Sequence, residues 1–144
     1  MTWLAAGPNR APQNLHPMTD QIIKFLTDVG VCLLQRDADG LFERFSPWIS
    51  PQERSHLLER LKACEAQVGE PDSLSLQGNP ASLEQLQREG LELPDEVTEE
   101  NFLSWSCVSV EIGEEITVYE FWCAVVKNPE GDCSVGYFEI LEPE

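Results

Sequence analysis

The first third of the chain repeats its apolar residues at helical spacing. These residues lie three or four positions apart, on one face of a helix: Ile22, Phe25, Leu26, Val29, Cys32 and Leu33. Thr19 can cap this helix, so the pattern predicts a helix over residues 20–36. The sequence Asp-Ala-Asp-Gly at 37–40 breaks it, and the apolar residues that follow predict a short second helix over 40–46.

The clearest local signal in the chain is a helix start at Ser50. The Ser50 hydroxyl can accept from the backbone N–H of Glu53, and the Glu53 carboxylate can accept from the Ser50 N–H. Pro51 suits the first position of a helix, where its missing N–H has no cost. We therefore predict a third helix that begins at Pro51, buries a stripe of leucines and ends near Gly69.

The last third of the chain has the composition of strands. Val, Ile, Phe, Tyr and Trp are concentrated in three segments separated by short turn sequences. The predicted strands are 102–112, 116–127 and 132–141. Before them we predict a loop over 70–79, a short helix over 80–89 that begins at Asn79-Pro80, and an acidic loop over 91–100.

This order of elements indicates an α+β fold. N-terminal helices should pack on a curved antiparallel sheet whose last strands form a meander. Residues 1–17 contain three prolines and no periodicity, so they are expected to be a disordered tail or an extension, with Met18 as a possible natural start. Residues 18–144 are then a single domain.

The meander places two carboxylates in the strand segments. If residues 128–131 form a four-residue turn, Glu120 lies opposite Glu139, and Trp122 lies opposite Tyr137. Two carboxylates held so close among apolar residues cannot both ionise easily, so at least one pKa should rise. Such a group can act as a general acid or base, which makes Glu120, Glu139 and Tyr137 candidate catalytic residues. A bulge, or a position at the wet rim of the sheet, would separate the pair.

The charge of the chain is very unevenly distributed. The net charge is −17, and residues 70–144 carry two basic groups against eighteen acidic ones. We expect the acidic region 89–115 to attract a basic protein and to repel nucleic acid and anionic membranes. The candidate partner-binding residues are Glu92, Asp95, Glu96, Glu99 and Glu100.

The remaining chemistry-bearing residues define no site. The five cysteines are scattered and form no CxxC motif, so they are expected to be buried thiols of a cytoplasmic protein. Only His16 and His56 could join them as ligands, and we predict no metal site and no cofactor. The serines near the strands have no nearby histidine to activate them. No apolar run approaches the roughly 20 residues that span a bilayer.

The order of elements resembles the nuclear-transport-factor-2-like (cystatin-like, SnoaL-like) superfamily. The features that carry the resemblance are the 20–36 helix, the segment Asp-Gly-Leu-Phe-Glu-Arg-Phe-Ser-Pro at 39–47, and the strands Val118–Val126 and Val135–Ile140. The resemblance implies a cone whose sheet wraps the helices around an apolar pocket, in proteins that are commonly dimers. Members include isomerases, dehydratases, transport and scaffolding proteins, and toxin-immunity proteins.

Three interpretations of the function follow. The leading one is a small acidic non-enzymatic binding protein, of immunity or inhibitor type, that contacts a basic partner through region 89–115. The alternative is a pocket enzyme of isomerase or dehydratase type that uses Glu120 and Glu139. The third is that the acidity serves solubility alone. A homodimer through one face of the sheet is also expected, because both faces look largely apolar.

Overall fold

The computed structural model describes residues 19–142, in which three helices precede a four-stranded sheet. The elements are α1 (Asp20–Gln35), α2 (Ala38–Glu43), α3 (Pro51–Val68), β1 (Ser73–Asn79), α4 (Leu83–Arg88), β2 (Phe102–Ile112), β3 (Ile116–Lys127) and β4 (Cys133–Leu141). The strands are antiparallel and lie in the order β1-β2-β3-β4. The predicted α+β fold is confirmed. The predicted tail and the Met18 start lie outside the described residues.

The helix starts are set by side-chain caps. The Thr19 hydroxyl accepts from the Ile22 N–H at 3.2 Å, as predicted. At α3 the full capping box is present: Ser50 Oγ accepts from the Glu53 N–H at 3.1 Å, and Glu53 Oε1 accepts from the Ser50 N–H at 3.0 Å. Helix α2 begins two residues earlier than predicted, because Asp37 caps it by accepting from the Gly40 N–H at 3.0 Å.

The predicted loop over residues 70–79 is wrong. This segment contains β1, which pairs along its length with β2. Its apolar residues, Leu74 and Leu76, alternate with polar ones, which is the two-residue period of a strand with one covered face. The next helix also differs from the prediction: α4 begins after Ser82, which caps it, while Asn79 Oδ1 accepts from the Ala81 N–H at 2.9 Å.

The main core lies between the sheet and helices α1 to α3. Tyr119 and Phe121 project from β3 into it and are fully buried. Three aromatic rings form a cluster in this core, with Phe121 at centroid distances of 6.5 Å from Phe45 and 5.9 Å from Phe138, which are themselves 5.5 Å apart. Gly30 lets α1 approach the sheet closely, since a Cβ there would lie 3.3 Å from a Val108 methyl group.

The opposite face of the sheet is covered in part by α4 and by the segment after it. One cluster joins Ala81 and Leu86 to Trp105, Trp122 and Tyr137 across the sheet. A second cluster joins Leu83, Val97 and Val126. Because part of this face is already packed against the chain itself, less apolar surface is available there than we expected from the strand pattern. The homodimer remains a prediction.

The predicted register of the meander is wrong. Glu120 lies opposite Leu141, and Glu139 lies opposite Trp122. A bulge between Ala124 and Val125 adds one residue to the offset between β3 and β4. A second bulge between Val110 and Glu111 moves Ser109 opposite Glu120, where Val108 was expected. Each bulge also reverses the face of the sheet to which the following residues of the strand point.

The five cysteines are free thiols, and four of them are buried. Cys107 and Cys123 lie in the strands and are fully buried, so they behave as small apolar side chains. Burial raises the pKa of both thiols, which keeps them protonated at neutral pH. Among the described helices, none combines the length and the hydropathy that crossing a membrane requires.

Candidate functional site

The acidic segment between α4 and β2 is held firmly against the sheet. We call residues 89–101 the connector. Its apolar side chains pack against the sheet. Leu91 and Leu93 pack on the cluster that contains Trp105 and Trp122, and Val97, which is 4% exposed, packs with Val126. Asn101 closes the loop, because its side chain accepts from the Thr98 N–H at 2.9 Å and donates to a backbone carbonyl at 2.8 Å. The connector is therefore a fixed part of the fold.

The polar residues of the connector point outward. The five predicted partner-binding carboxylates are all exposed, and we call them the connector surface: Glu92, Asp95, Glu96, Glu99 and Glu100. None of the five forms an ion pair within residues 19–142. The nearest basic residue in sequence, Arg88, is already paired with Glu84 at 3.8 Å. The structure thus holds five unneutralised carboxylates on one short, anchored loop.

A groove borders this surface. It has a volume of about 450 Å³ and is lined by Asn79, Ala81, Ser82, Leu83, Glu84, Glu99, Phe102, Leu103 and Ser104. Leu103 is 38% exposed and offers apolar surface to this groove. Two carboxylates, Glu84 and Glu99, line the same groove. An apolar side chain between carboxylates suits the aliphatic stem and charged head of a lysine or arginine.

The acidic region 89–115 is not one surface, contrary to our expectation. The connector lies at the Phe102 end of β2, whereas Glu114 and Glu115 lie in the hairpin beyond Ile112. The eleven residues of β2 separate these two places by about 33 Å. The hairpin is tied to the start of β1, since the Gly113 N–H donates to Asp72 Oδ1 at 2.8 Å.

The turn between β3 and β4 lies at the connector end of the sheet. The Lys127 N–H donates to the carbonyl of Asn101 at 2.8 Å, which ties the end of β3 to the end of the connector. Glu130 and Asp132 in this turn are exposed. They extend the negative charge at this end of the molecule, although sequence reasoning did not group them with the connector.

Glu120 and Glu139 share a face of the sheet but do not lie opposite each other. They are diagonal neighbours across β3 and β4, a relation with Cβ atoms about 7–8 Å apart. Each carboxylate has its own donor: Trp122 Nε1 donates to Glu120 at 2.9 Å, and the Tyr137 hydroxyl donates to Glu139 at 2.6 Å. The two carboxylates therefore do not form the close, directly opposed pair that the sequence predicted.

Tyr137 is the best-placed donor of this group. Burial, followed by its hydrogen bond to Glu139, raises the pKa of the phenol, so it stays protonated and can only donate to this carboxylate. Glu120 is half-buried and Glu139 is exposed. The arrangement can bind a donor or position a proton, but the described residues place no histidine beside it.

A third carboxylate on the sheet was missed by sequence reasoning. Glu111 Oε2 accepts from the Ser75 hydroxyl at 2.9 Å, which links β2 to β1. The alternation of apolar and polar residues in β1 could have indicated this contact, but we had predicted a loop over these residues. No group of three or more His, Cys, Asp or Glu side chains in the described part of the chain is arranged to hold a metal ion.

Comparison with known proteins yields no match of the chain to a family model, to a curated protein or to a solved structure.

Proposed function

We propose that this protein is a non-enzymatic binding protein, of immunity or inhibitor type, that holds a basic protein partner against the connector surface. The observation that carries the proposal is the set of five exposed carboxylates without ion pairs on an anchored loop. Carboxylates that serve only solubility need no fixed backbone beneath them. Here the apolar side chains of the connector keep the charges in a defined arrangement.

Charge complementarity would give such a surface speed and selectivity. A negative patch steers a basic partner toward it and discriminates against acidic competitors. Exposed charges alone contribute little affinity, so a specific complex also needs a desolvated anchor. Leu103, in the groove that Glu84 and Glu99 also line, supplies apolar surface for such an anchor.

The proposal is tested by mapping where a basic probe binds. Deca-lysine, titrated into the full-length chain at low salt and followed through backbone amide chemical shifts, should perturb residues 84–104 first. The β2–β3 hairpin with Glu114 and Glu115 serves as an internal control, because it is acidic but lies at the other end of the sheet. Equal perturbation of both ends would indicate a general charge effect and would contradict the proposal.

The pocket enzyme is the second candidate. The observation in its favour is the short hydrogen bond between Tyr137 and Glu139, beside the half-buried Glu120. Its test compares Glu139→Gln with a variant in which the carboxylates of the connector surface are neutralised, both in the same ligand-binding assay. The enzyme interpretation requires the former to lose binding while the connector variant keeps it, and the binding-protein interpretation requires the reverse.

A further inference from the structure

The two edges of the sheet differ in how the described chain covers them. At the β4 edge, the Val135 N–H donates to the carbonyl of Arg44 at 2.7 Å, and the Ser46 N–H donates to the carbonyl of Val135 at 2.9 Å. A side chain of the same segment joins them, because Trp48 Nε1 donates to the carbonyl of Gly136 at 2.8 Å. The segment between α2 and α3 therefore occupies the β4 edge.

The β1 edge has no such cover within residues 19–142. Every residue from Ser73 to Asn79 lies opposite a residue of β2. Among the described residues, no hydrogen bond joins the backbone of β1 to any element other than β2. An edge strand points about half of its N–H and C=O groups away from its neighbour, and those groups are a template for another strand.

Strand β1 also lacks the features that protect an open edge. Natural proteins protect such edges with charged side chains, with proline or with a bulge. The sequence of β1 is Ser-Leu-Ser-Leu-Gln-Gly-Asn, and its register with β2 contains no bulge. The strand thus presents a regular, uncharged edge in a chain whose net charge is −17.

We propose that β1 is a dimerisation edge, at which the β1 strands of two copies of this chain pair antiparallel. The two four-stranded sheets then form one sheet of eight strands. This interface is separate from the connector surface, and the inference does not rest on the proposed function.

The occupant is a second copy for two reasons. An uncharged strand offers nothing to attract a basic partner, whereas two copies that repel each other elsewhere can meet at β1 without directly opposed carboxylates. Pairing of one open edge with its own copy is also closed, because the occupied β4 edges then lie at the two ends of the sheet.

The pairing has a defined register. A twofold axis perpendicular to the sheet keeps each residue on the same face in both copies, and directly opposed side chains share a face. Overlap of all seven residues then places Leu76 opposite Leu76 of the partner subunit. In the same register, Ser73 lies opposite Asn79 of the partner subunit.

The first test is the mass of the full-length chain by sedimentation equilibrium. The mass should rise with concentration toward twice the 16.2 kDa of the monomer. Raising the ionic strength from about 0.02 M to about 0.5 M should strengthen the dimer at least about threefold, because salt screens the repulsion between two acidic chains. Deca-lysine binding at the connector surface should weaken with salt instead, so the two proposals fail separately.

Hydrogen exchange locates the interface. As the dimer forms, amide exchange should slow in residues 73–79 and stay unchanged in β4. A chain that remains monomeric at about 0.5 mM and high salt would overturn the proposal. A dimer that leaves exchange in β1 unchanged would overturn it as well.

Two double variants test the register. Ser73→Lys with Asn79→Lys places like charges opposite each other twice, whereas Ser73→Glu with Asn79→Lys places opposite charges there. Both variants lose the same side-chain hydrogen bonds of Ser73 and Asn79, so those losses cancel in the comparison. We expect the dilysine variant to dimerise at least about fivefold more weakly than the Glu/Lys variant. Equal affinities in two variants that circular dichroism shows to be folded would overturn the pairing.

A matched control separates this effect from net charge. Gln52→Lys with Gln67→Lys adds the same two charges at exposed positions of α3. Because it lowers the net negative charge, this control should dimerise at least as tightly as the wild type. A control weakened as much as the dilysine strand variant would overturn the proposal.

Discussion

Gly136 lies where β4, β3 and the connector meet, and the methyl group added by Gly136→Ala should destabilise the packing of all three. A Cβ at this position would lie 2.8 and 3.2 Å from the two methyl carbons of Val126 and 3.3 Å from a methyl carbon of Val97. Carbon atoms are most favourably placed 3.5–4.0 Å apart, so Gly136→Ala forces neighbours to move by several tenths of an ångström. Val126 is 1% exposed, so its methyl groups cannot move away from the new Cβ into solvent.

The magnitude of this effect follows from two opposing contributions. Overpacking a well-filled core costs about 1–3 kcal/mol. Replacing glycine by alanine also restricts the unfolded chain, which returns about 0.4–1 kcal/mol. We expect Gly136→Ala to lower the free energy of unfolding by about 1–2 kcal/mol in urea titrations followed by tryptophan fluorescence. Hydrogen exchange should also report faster opening of the connector, because Val97 must shift.

Val126→Ala provides the control, because it removes the methyl groups that the new Cβ would meet. Alone it should cost about 2 kcal/mol through the cavity it creates. Combined with Gly136→Ala it should cost less than the sum of the two single variants, by about 1 kcal/mol or more. Strict additivity, or a Gly136→Ala variant as stable as the wild type, would refute the reasoning about this contact.

Three further predictions concern stability. Ser50→Ala removes the acceptor for the Glu53 N–H at the start of α3 and should lower the free energy of unfolding by about 1 kcal/mol in urea titrations. Tyr119→Phe removes a buried hydroxyl without a partner and should raise that free energy by about 1 kcal/mol, so a loss of stability would show that the hydroxyl is bonded. Burial raises the pKa of the Cys123 thiol from 9.0 to about 12, so the unfolded chain loses this proton first. The free energy of unfolding should therefore fall between pH 9 and pH 12, by up to about 1.4 kcal/mol per pH unit from this thiol, and Cys123→Ala should flatten the decline.

The elements with strong local signals could be predicted from the sequence. The capping box at Ser50 and the apolar stripe of α1 are set by residues a few positions apart, and both helices form as expected. The three long strands are dense in β-branched and aromatic residues, which also act locally. Strand β1 was missed because its seven residues include Gly78, Asn79 and two serines, which are typical of loops. Its pairing with β2, distant along the chain, makes it a strand.

For the candidate sites, the sequence predicted which carboxylates are exposed but not which of them lie close together. The connector carboxylates are exposed, as their pattern implied, but their separation from Glu114 and Glu115 depends on the length and direction of β2. The predicted pairing of Glu120 with Glu139 is wrong because Lys127 lies opposite Cys133, one residue beyond the predicted Asp132, and a bulge between Ala124 and Val125 adds one residue more. A bulge arises from packing among several strands and leaves little trace in any one of them.

The central claim is that the position of the carboxylates matters and not only their number. Two variants with the same change in net charge test it most directly. One neutralises the connector surface (Glu92→Gln, Asp95→Asn, Glu96→Gln, Glu99→Gln and Glu100→Gln). The other neutralises five exposed carboxylates elsewhere (Asp20→Asn, Glu43→Gln, Glu59→Gln, Glu114→Gln and Glu115→Gln).

The measurement is the affinity of each variant for deca-lysine by isothermal titration calorimetry at low and at physiological salt. At 0.15 M ionic strength charges more than about 8 Å apart are largely screened, so only the local surface should count. Our account predicts that the connector variant loses at least tenfold in affinity there, while the matched variant stays within about twofold of the wild type. Equal losses in the two variants would contradict it.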